Sequence, residues 1–267
     1  MTESVVGNTT GAVALVTGAA SGMGRIYSRH LAAKGFRVAA LDINTDGLAE
    51  TCDGRDNMTT YECNIASLDE VTSVVARIGA DLGEISYGVH CAAIMPGRSV
   101  MNEDDTSLRR LTEINYFGAL NAIDAIVKPM VARDRGKFVI FGSVAGDALV
   151  PNMASYCATK AAVNAYTESL INELKIAGSR VGVHLVKPPA VNTPLVDQLV
   201  ETETPGSITS ALETGRLADP EDIVAQIEKS VEKGKEIIYP GSARFLSLWH
   251  SLFPSLWWKT VGSFEKS

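Results

Sequence analysis

Short apolar runs alternate along the chain with longer amphipathic stretches, a pattern that predicts strands alternating with helices. The first apolar run, Ala12 to Val16, passes through a glycine-rich turn into an amphipathic stretch ending at Gly35, which reads as strand, loop and helix. Further strand-like runs occur at FRVAALDIN, MTTYECNI, ISYGVHCAAI, GKFVIFGSV, RVGVHLVKP and EIIYPG. Helical patterns separate the later ones, at 67–83, 104–133, 155–178 and 219–234. Successive strand and helix units of this kind predict an α/β fold whose parallel sheet is covered by helices on both faces. No repeat of solenoid period and no Gly/Ser-rich or Pro-rich linker divides the chain, so one domain is expected.

Composition narrows the partners. With 267 residues, 46% of them hydrophobic and 21% charged, the chain is an ordinary globular protein with a sizeable core. A formal charge of -7 and the lack of any basic run argue against a nucleic-acid backbone as the main partner. Cys52, Cys63, Cys91 and Cys157 form no C-x-x-C and show no metal-ligand spacing with the histidines; no metal is expected, and reduced thiols in a cytoplasmic protein are. The opening MTESVVGNTTG has no basic region followed by an apolar core, so a secretory signal is not expected.

Three features carry candidate chemistry. Gly18, Gly22 and Gly24 give T-G-x-x-x-G-x-G between the first strand and its helix, where a backbone without Cβ atoms lets a pyrophosphate approach the helix N-terminus. Asp42 ends the second strand and is placed to accept hydrogen bonds from an adenosine ribose while repelling a 2′-phosphate, which favours NAD over NADP. It also reads as a turn or N-cap aspartate, and Arg25 and Arg37 lie near in sequence. Tyr156 and Lys160 stand four apart, one turn of helix on the same face, with Ser143 at a strand end before them.

These motifs, in this order, resemble the short-chain dehydrogenase/reductase family, the single-domain branch, from about Gly11 to Gly241. The resemblance implies a Rossmann-like, doubly wound parallel sheet. Thr17, Gly18, Ser21, Gly22, Met23 and Gly24 look like the family's cofactor loop. Asn115, Ser143, Tyr156 and Lys160 match its catalytic residues, and Thr193 its nicotinamide-holding threonine. Asp42, Asn64, Ile65, Ala92, Pro189 and Val191 fall where the family touches cofactor. Three departures stand out. His90-Cys91-Ala92-Ala93 replaces N-N-A-G, Asn64 replaces an aspartate, and Pro188-Pro189 replaces P-G. The proline removes both an amide donor and a glycine-only backbone conformation.

The resemblance implies hydride transfer between NAD and a secondary alcohol or ketone. Tyr156 would exchange the hydroxyl proton, its anion stabilised by the Lys160 ammonium, while Ser143 orients the substrate oxygen. Lys160 would hold the nicotinamide ribose and Asn115 a water path to solvent. His90 and His184 read as core histidines, Cys157 as packing, and the charged run Glu228 to Glu236 as a solvated helix face. Residues 194–217 fall where the family carries a flap; Leu195, Val196, Leu199 and Val200 give it an apolar face, and Val144, Leu149 and Met153 add pocket wall, so a hydrophobic substrate is expected.

The division expected is a cofactor-binding domain over 1–241 and a tryptophan-rich tail over 242–267. The tail, SARFLSLWHSLFPSLWWKTVGSFEKS, is a poor transmembrane span. It reads as packing on its own subunit, a partner subunit or the pocket mouth, or as a peripheral membrane contact. A homo-oligomer, tetramer or dimer, is expected through helices 104–133 and 155–178. Two other functions fit the motifs: a catalytically silent nucleotide-binding or scaffolding protein, and a sugar-nucleotide epimerase or dehydratase.

Overall fold

A computed structural model describes residues 10–265. The stretch examined for a secretory signal falls mainly on residues 1–9, outside the described residues. Seven strands, β1 (Val13–Thr17), β2 (Arg37–Asp42), β3 (Met58–Glu62), β4 (Ile85–His90), β5 (Lys137–Phe141), β6 (Gly182–Val186) and β7 (Ile237–Ile238), form one parallel sheet in the order β3-β2-β1-β4-β5-β6-β7. This is the doubly wound Rossmann-like arrangement, and the strand order reverses between β1 and β4.

The apolar runs are continuous because the central strands are buried on both faces. Alternate residues feed two cores: Val13 and Leu15 of β1, with Phe138 and Ile140 of β5, face one, while Ala14 and Val16, with Val139 and Phe141, face the other. Helices α1 (Gly22–Ala33), α2 (Thr45–Cys52), α3 (Leu68–Asp81), α4 (105–132), α5 (Ala154–Ile176), α6 (Pro194–Val200), α7 (Gly206–Glu213), α8 (Pro220–Glu232), α9 (Ala243–Leu252) and α10 (Pro254–Phe264) complete the chain. Side-chain caps fix several starts: Asn44 accepts from the Gly47 amide, Asp104 from Ser107 and Asp219 from Asp222.

Helix α4 is not regular. Two π-helical turns, Glu113–Phe117 and Ile123–Val127, interrupt it, and the first contains Asn115. An inserted π turn re-aims the side chains that follow, and such turns concentrate at functional sites. Among the described residues no helix is long and apolar enough to cross a membrane.

Candidate active site

The carboxyl ends of β1, β2, β4, β5 and β6 open into one cavity of about 670 Å³. It is lined at one end by Gly18, Ser21, Gly22, Met23, Gly24, Asp42, Asn64, Ile65 and Ala92, and further along by Ser143, Tyr156, Lys160, Pro189, Val191 and Thr193. All these sequence-selected residues therefore meet in one place. Asn115 does not line the cavity; it lies buried behind it.

The glycine loop is built by sterics. Gly18 adopts φ +70°, and a Cβ there would lie 2.7 Å from the Ala92 amide. A Cβ on Gly24 would collide with the Gly18 carbonyl. This clearance brings the amino end of α1 against the cavity, which fits a dinucleotide pyrophosphate on its free amides. Asp42 serves the turn as well as the cavity, since its two oxygens accept from the Ala20 amide at 3.1 Å and the Asn44 amide at 3.0 Å. The altered HCAA segment closes its own geometry. His90 Nδ1 pairs with Thr17 Oγ1 at 2.9 Å, and the Cys91 amide donates to the Thr17 carbonyl at 3.2 Å. Burial, then the Lys160 charge, pushes His90 down to about 3, so it stays neutral.

Tyr156 and Lys160 sit one turn apart near the start of α5, both buried. Lys160 Nζ donates to the Phe141 carbonyl at 2.9 Å and lies 5.9 Å from the Tyr156 ring centre. Burial holds the Tyr156 phenol above its ordinary value, opposed by a hydrogen bond with Ser143. Burial also pushes Lys160 down to about 8, with Cys91 acting weakly the other way. Asn115 is clamped: its Oδ1 accepts from the Ile94 amide and its Nδ2 donates to the Ile94 carbonyl, both at 2.9 Å. The π turn thus ties α4 to the segment after β4, beside Thr159 of α5.

One element of this end was not legible in the motifs. Asp147, in the turn after Ser143, accepts from Lys187 Nζ at 3.0 and 3.1 Å, Asn164 Nδ2 at 3.1 Å, Tyr239 Oη at 3.1 Å and Ser247 Oγ at 3.2 Å. Lys187 is buried and also donates to Glu168 at 2.7 Å. Asn164 in turn donates to the Ser143 carbonyl at 3.0 Å. The signal in the sequence was the charged Lys187 directly after the mainly apolar strand β6.

The charged run from Glu228 is corrected in part. Glu228 is buried rather than solvated, because α8 packs on α1 and turns it toward Tyr27, Tyr87, His30 and Lys34. Burial alone would raise it, but the nearby His30 and the hydrogen bonds from Lys34, Tyr27 and Tyr87 hold it down at about 2.

The substrate end is closed by α6, α7, α9 and α10. Leu195, Val196 and Leu199 line the cavity, but Val200 is 57% exposed, since one further residue along α6, rotated about 100° from Leu199, carries it past the apolar stripe. Val144 and Met153 line it too, whereas Leu149 faces solvent and offers only its carbonyl, to Trp257 Nε1 at 2.8 Å. The tail packs on this mouth: Leu246, Trp249, Trp257 and Val261 form its wall. Glu265 accepts from the Gly206 amide at 2.8 Å, and the Phe264 carbonyl lies where a Cβ on Gly206 would be, so tail and flap are joined.

A family model described as short chain dehydrogenase matches residues 12–204. A human epidermal retinol dehydrogenase 2 is 26% identical over 92% of this chain and 80% of its own length. A 3-oxoacyl-[acyl-carrier-protein] reductase of Thermotoga maritima is 30% identical over 81% of this chain and 88% of its own. Among solved structures, a short chain dehydrogenase/reductase from Burkholderia phymatum in complex with NAD superposes with TM-score 0.82 at 21% identity, covering 94% of this chain and 97% of that one. An actinorhodin polyketide ketoreductase with NADPH gives TM-score 0.77 at 25% identity, over 87% and 97%.

Proposed function

The chain belongs to the short chain dehydrogenase family, and from that premise we propose that it interconverts an apolar secondary alcohol and its ketone using NAD, with Tyr156 as acid and base. The observation carrying the proposal is a single cavity in which the glycine cradle and Asp42 run without a break into Ser143, Tyr156 and Lys160. The NAD preference is supported by what surrounds Asp42. Arg25 is tied to the Ala20 carbonyl, Thr51 and Glu50, Arg37 donates to the Gly11 carbonyl at the far end of β2, and neither lines the cavity. Among the described residues no Arg or Lys lines the cavity beside Asp42 to receive a 2′-phosphate.

NAD, when bound, supplies the hydride acceptor and a positive ring. The chain's own residues handle the proton. Ser143, close enough to Tyr156 to act on its phenol, presents its hydroxyl to the substrate oxygen and fixes it against the phenol. In reduction, a phenol held above its ordinary value by burial stays protonated and donates. In oxidation it must give up its proton first, and the buried Lys160 ammonium is the chain's own counter-charge. With Lys160 at about 8, most of it is charged at neutral pH. Gly18, Ser21, Gly22, Met23 and Gly24 would hold the pyrophosphate, Asp42, Asn64, Ile65 and Ala92 the adenosine half, and Lys160, Pro189, Val191 and Thr193 the nicotinamide half. Asn115 would serve the water path to Lys160 as well as clamping Ile94.

The substrate reading rests on the walls, made largely of Met95, Val150, Leu199, Ile208, Trp249 and Trp257. A screen of NAD and NADP against secondary alcohols of rising size tests it, with turnover expected for large apolar alcohols and NAD. Tyr156→Phe is expected to remove turnover and keep NAD affinity; unchanged turnover would sink the mechanism. A homo-oligomer is supported by Leu108, Phe117, Tyr166 and Ile176, exposed on α4 and α5, and light scattering that returned a monomer would refute it. Peripheral contact with a lipid surface is supported by Phe245, Leu252 and Phe253 on the outer face of the tail, and flotation with vesicles tests it.

A further inference from the structure

We infer that the substrate is amphipathic, an apolar alcohol or ketone that also bears an anionic group, and that Arg110 and Arg216 receive that group at the cavity rim. The inference rests on the oxidoreductase reading and narrows its substrate class. Both arginines line the cavity while remaining exposed, and neither side chain makes a hydrogen bond, ion pair or ring contact. That sets them apart from the other arginines among the described residues, Arg244 excepted. Arg25, Arg98, Arg109, Arg135 and Arg180 meet carboxylates, and Arg77 lies over Tyr61. Arg29, Arg37, Arg55 and Arg133 meet backbone carbonyls.

Carboxylates are not scarce, since the chain has 31 acidic against 24 basic residues. Asp104 is engaged with Arg98 and Asp105 with Arg109, while Glu113, three residues beyond Arg110, forms no ion pair with it. The two guanidiniums stand on different walls. Arg110 is one turn before Ile114 on α4, and Arg216 follows α7 and precedes Leu217, with Ile114 and Leu217 themselves lining the cavity. An apolar body against the walls therefore leads to cationic groups at the rim. A guanidinium presents a planar fork of donors that pairs bidentately with carboxylate or phosphate, and such charge-assisted bonds are about twice as strong as neutral ones. A competing anion is the cofactor's own pyrophosphate, because Ala218, two residues after Arg216, bridges to Val191 on the cofactor side.

The test uses the full chain with NAD and three matched substrates: a long-chain hydroxy acid, its phosphate-ester counterpart and the methyl ester of the acid. One or both anions are expected to exceed the ester in kcat/KM by about tenfold, a preference that shrinks as salt rises. Whichever anion leads identifies the group. R110Q and R216Q are each expected to lower that anion-to-ester ratio severalfold, with NAD affinity measured separately by titration. An ester turned over as well as both anions would overturn the inference and leave the oxidoreductase reading standing. A ratio unmoved by either variant would overturn it too. Loss of NAD affinity in R216Q with an unmoved ratio would assign Arg216 to the cofactor and overturn its part. Turnover of none of the three, or of any other alcohol, would remove both readings.

Discussion

Replacing Asp147 by asparagine keeps the shape of the side chain and removes the charge that gathers Lys187, Asn164, Tyr239 and Ser247. Lys187 has a side chain only 5% exposed and keeps one carboxylate partner, Glu168 at 2.7 Å, besides the Tyr239 ring 5.4 Å away. Taking one partner from a buried ion pair costs about 3–5 kcal/mol. Asp147 is itself 20% exposed and Glu168 remains, so the lower figure is further reduced, to about 2 kcal/mol. For a chain of this length that is a fall in Tm of about 4–8 °C. Because Asn164 links Asp147 to the backbone of Ser143, the substrate oxygen should also be held less well, and kcat should fall more than KM rises. Calorimetry and steady-state kinetics on wild type and Asp147→Asn at pH 7 measure both. A Tm within about 1 °C of wild type together with unchanged kcat would refute the hub.

Other outcomes follow from the same geometry. Glu228 is held at about 2 against an ordinary 4.5, so its contribution, on the order of 3 kcal/mol, is present above pH 4.5 and is lost as pH falls toward 2; Glu228→Gln should flatten that acid limb of stability, followed by urea unfolding across pH. Gly24→Ala puts a methyl against the Gly18 carbonyl, and NAD binding measured by fluorescence titration should be lost. Trp257→Ala removes a buried ring and its bond to the Leu149 carbonyl, costing about 3 kcal/mol of stability in urea and raising KM for large apolar substrates.

The sheet was legible because a parallel sheet buried on both faces leaves unbroken apolar runs, as in Val13–Thr17 and Lys137–Phe141. The glycine loop and the Tyr156–Lys160 pair were legible because their spacings are local. Other features depend on contacts remote in sequence. Asp147 draws together residues from 164 to 247, and nothing near it announces that role. The π turn at Asn115 is one extra residue per turn within a helical pattern, which periodicity does not resolve. Helix α2 was not expected at all, being eight residues long with a glycine inside it. The misplaced Leu149 and Val200 share a cause, since pattern gives the stripe of a helix or turn but not its rotation against the cavity.

The join between Glu265, Phe264 and Gly206 bears on kinetics. Flap and tail held together this way do not act as two independent doors, so an opening wide enough for a bulky ligand has to undo α10 from α7 or swing both. The same opening admits substrate and lets product go. As the ligand lengthens, the slow event should pass from bond-making to departure, and the first turnover should then run ahead of those that follow. A burst of product in rapid mixing, growing with chain length, is the form that latch would take in time.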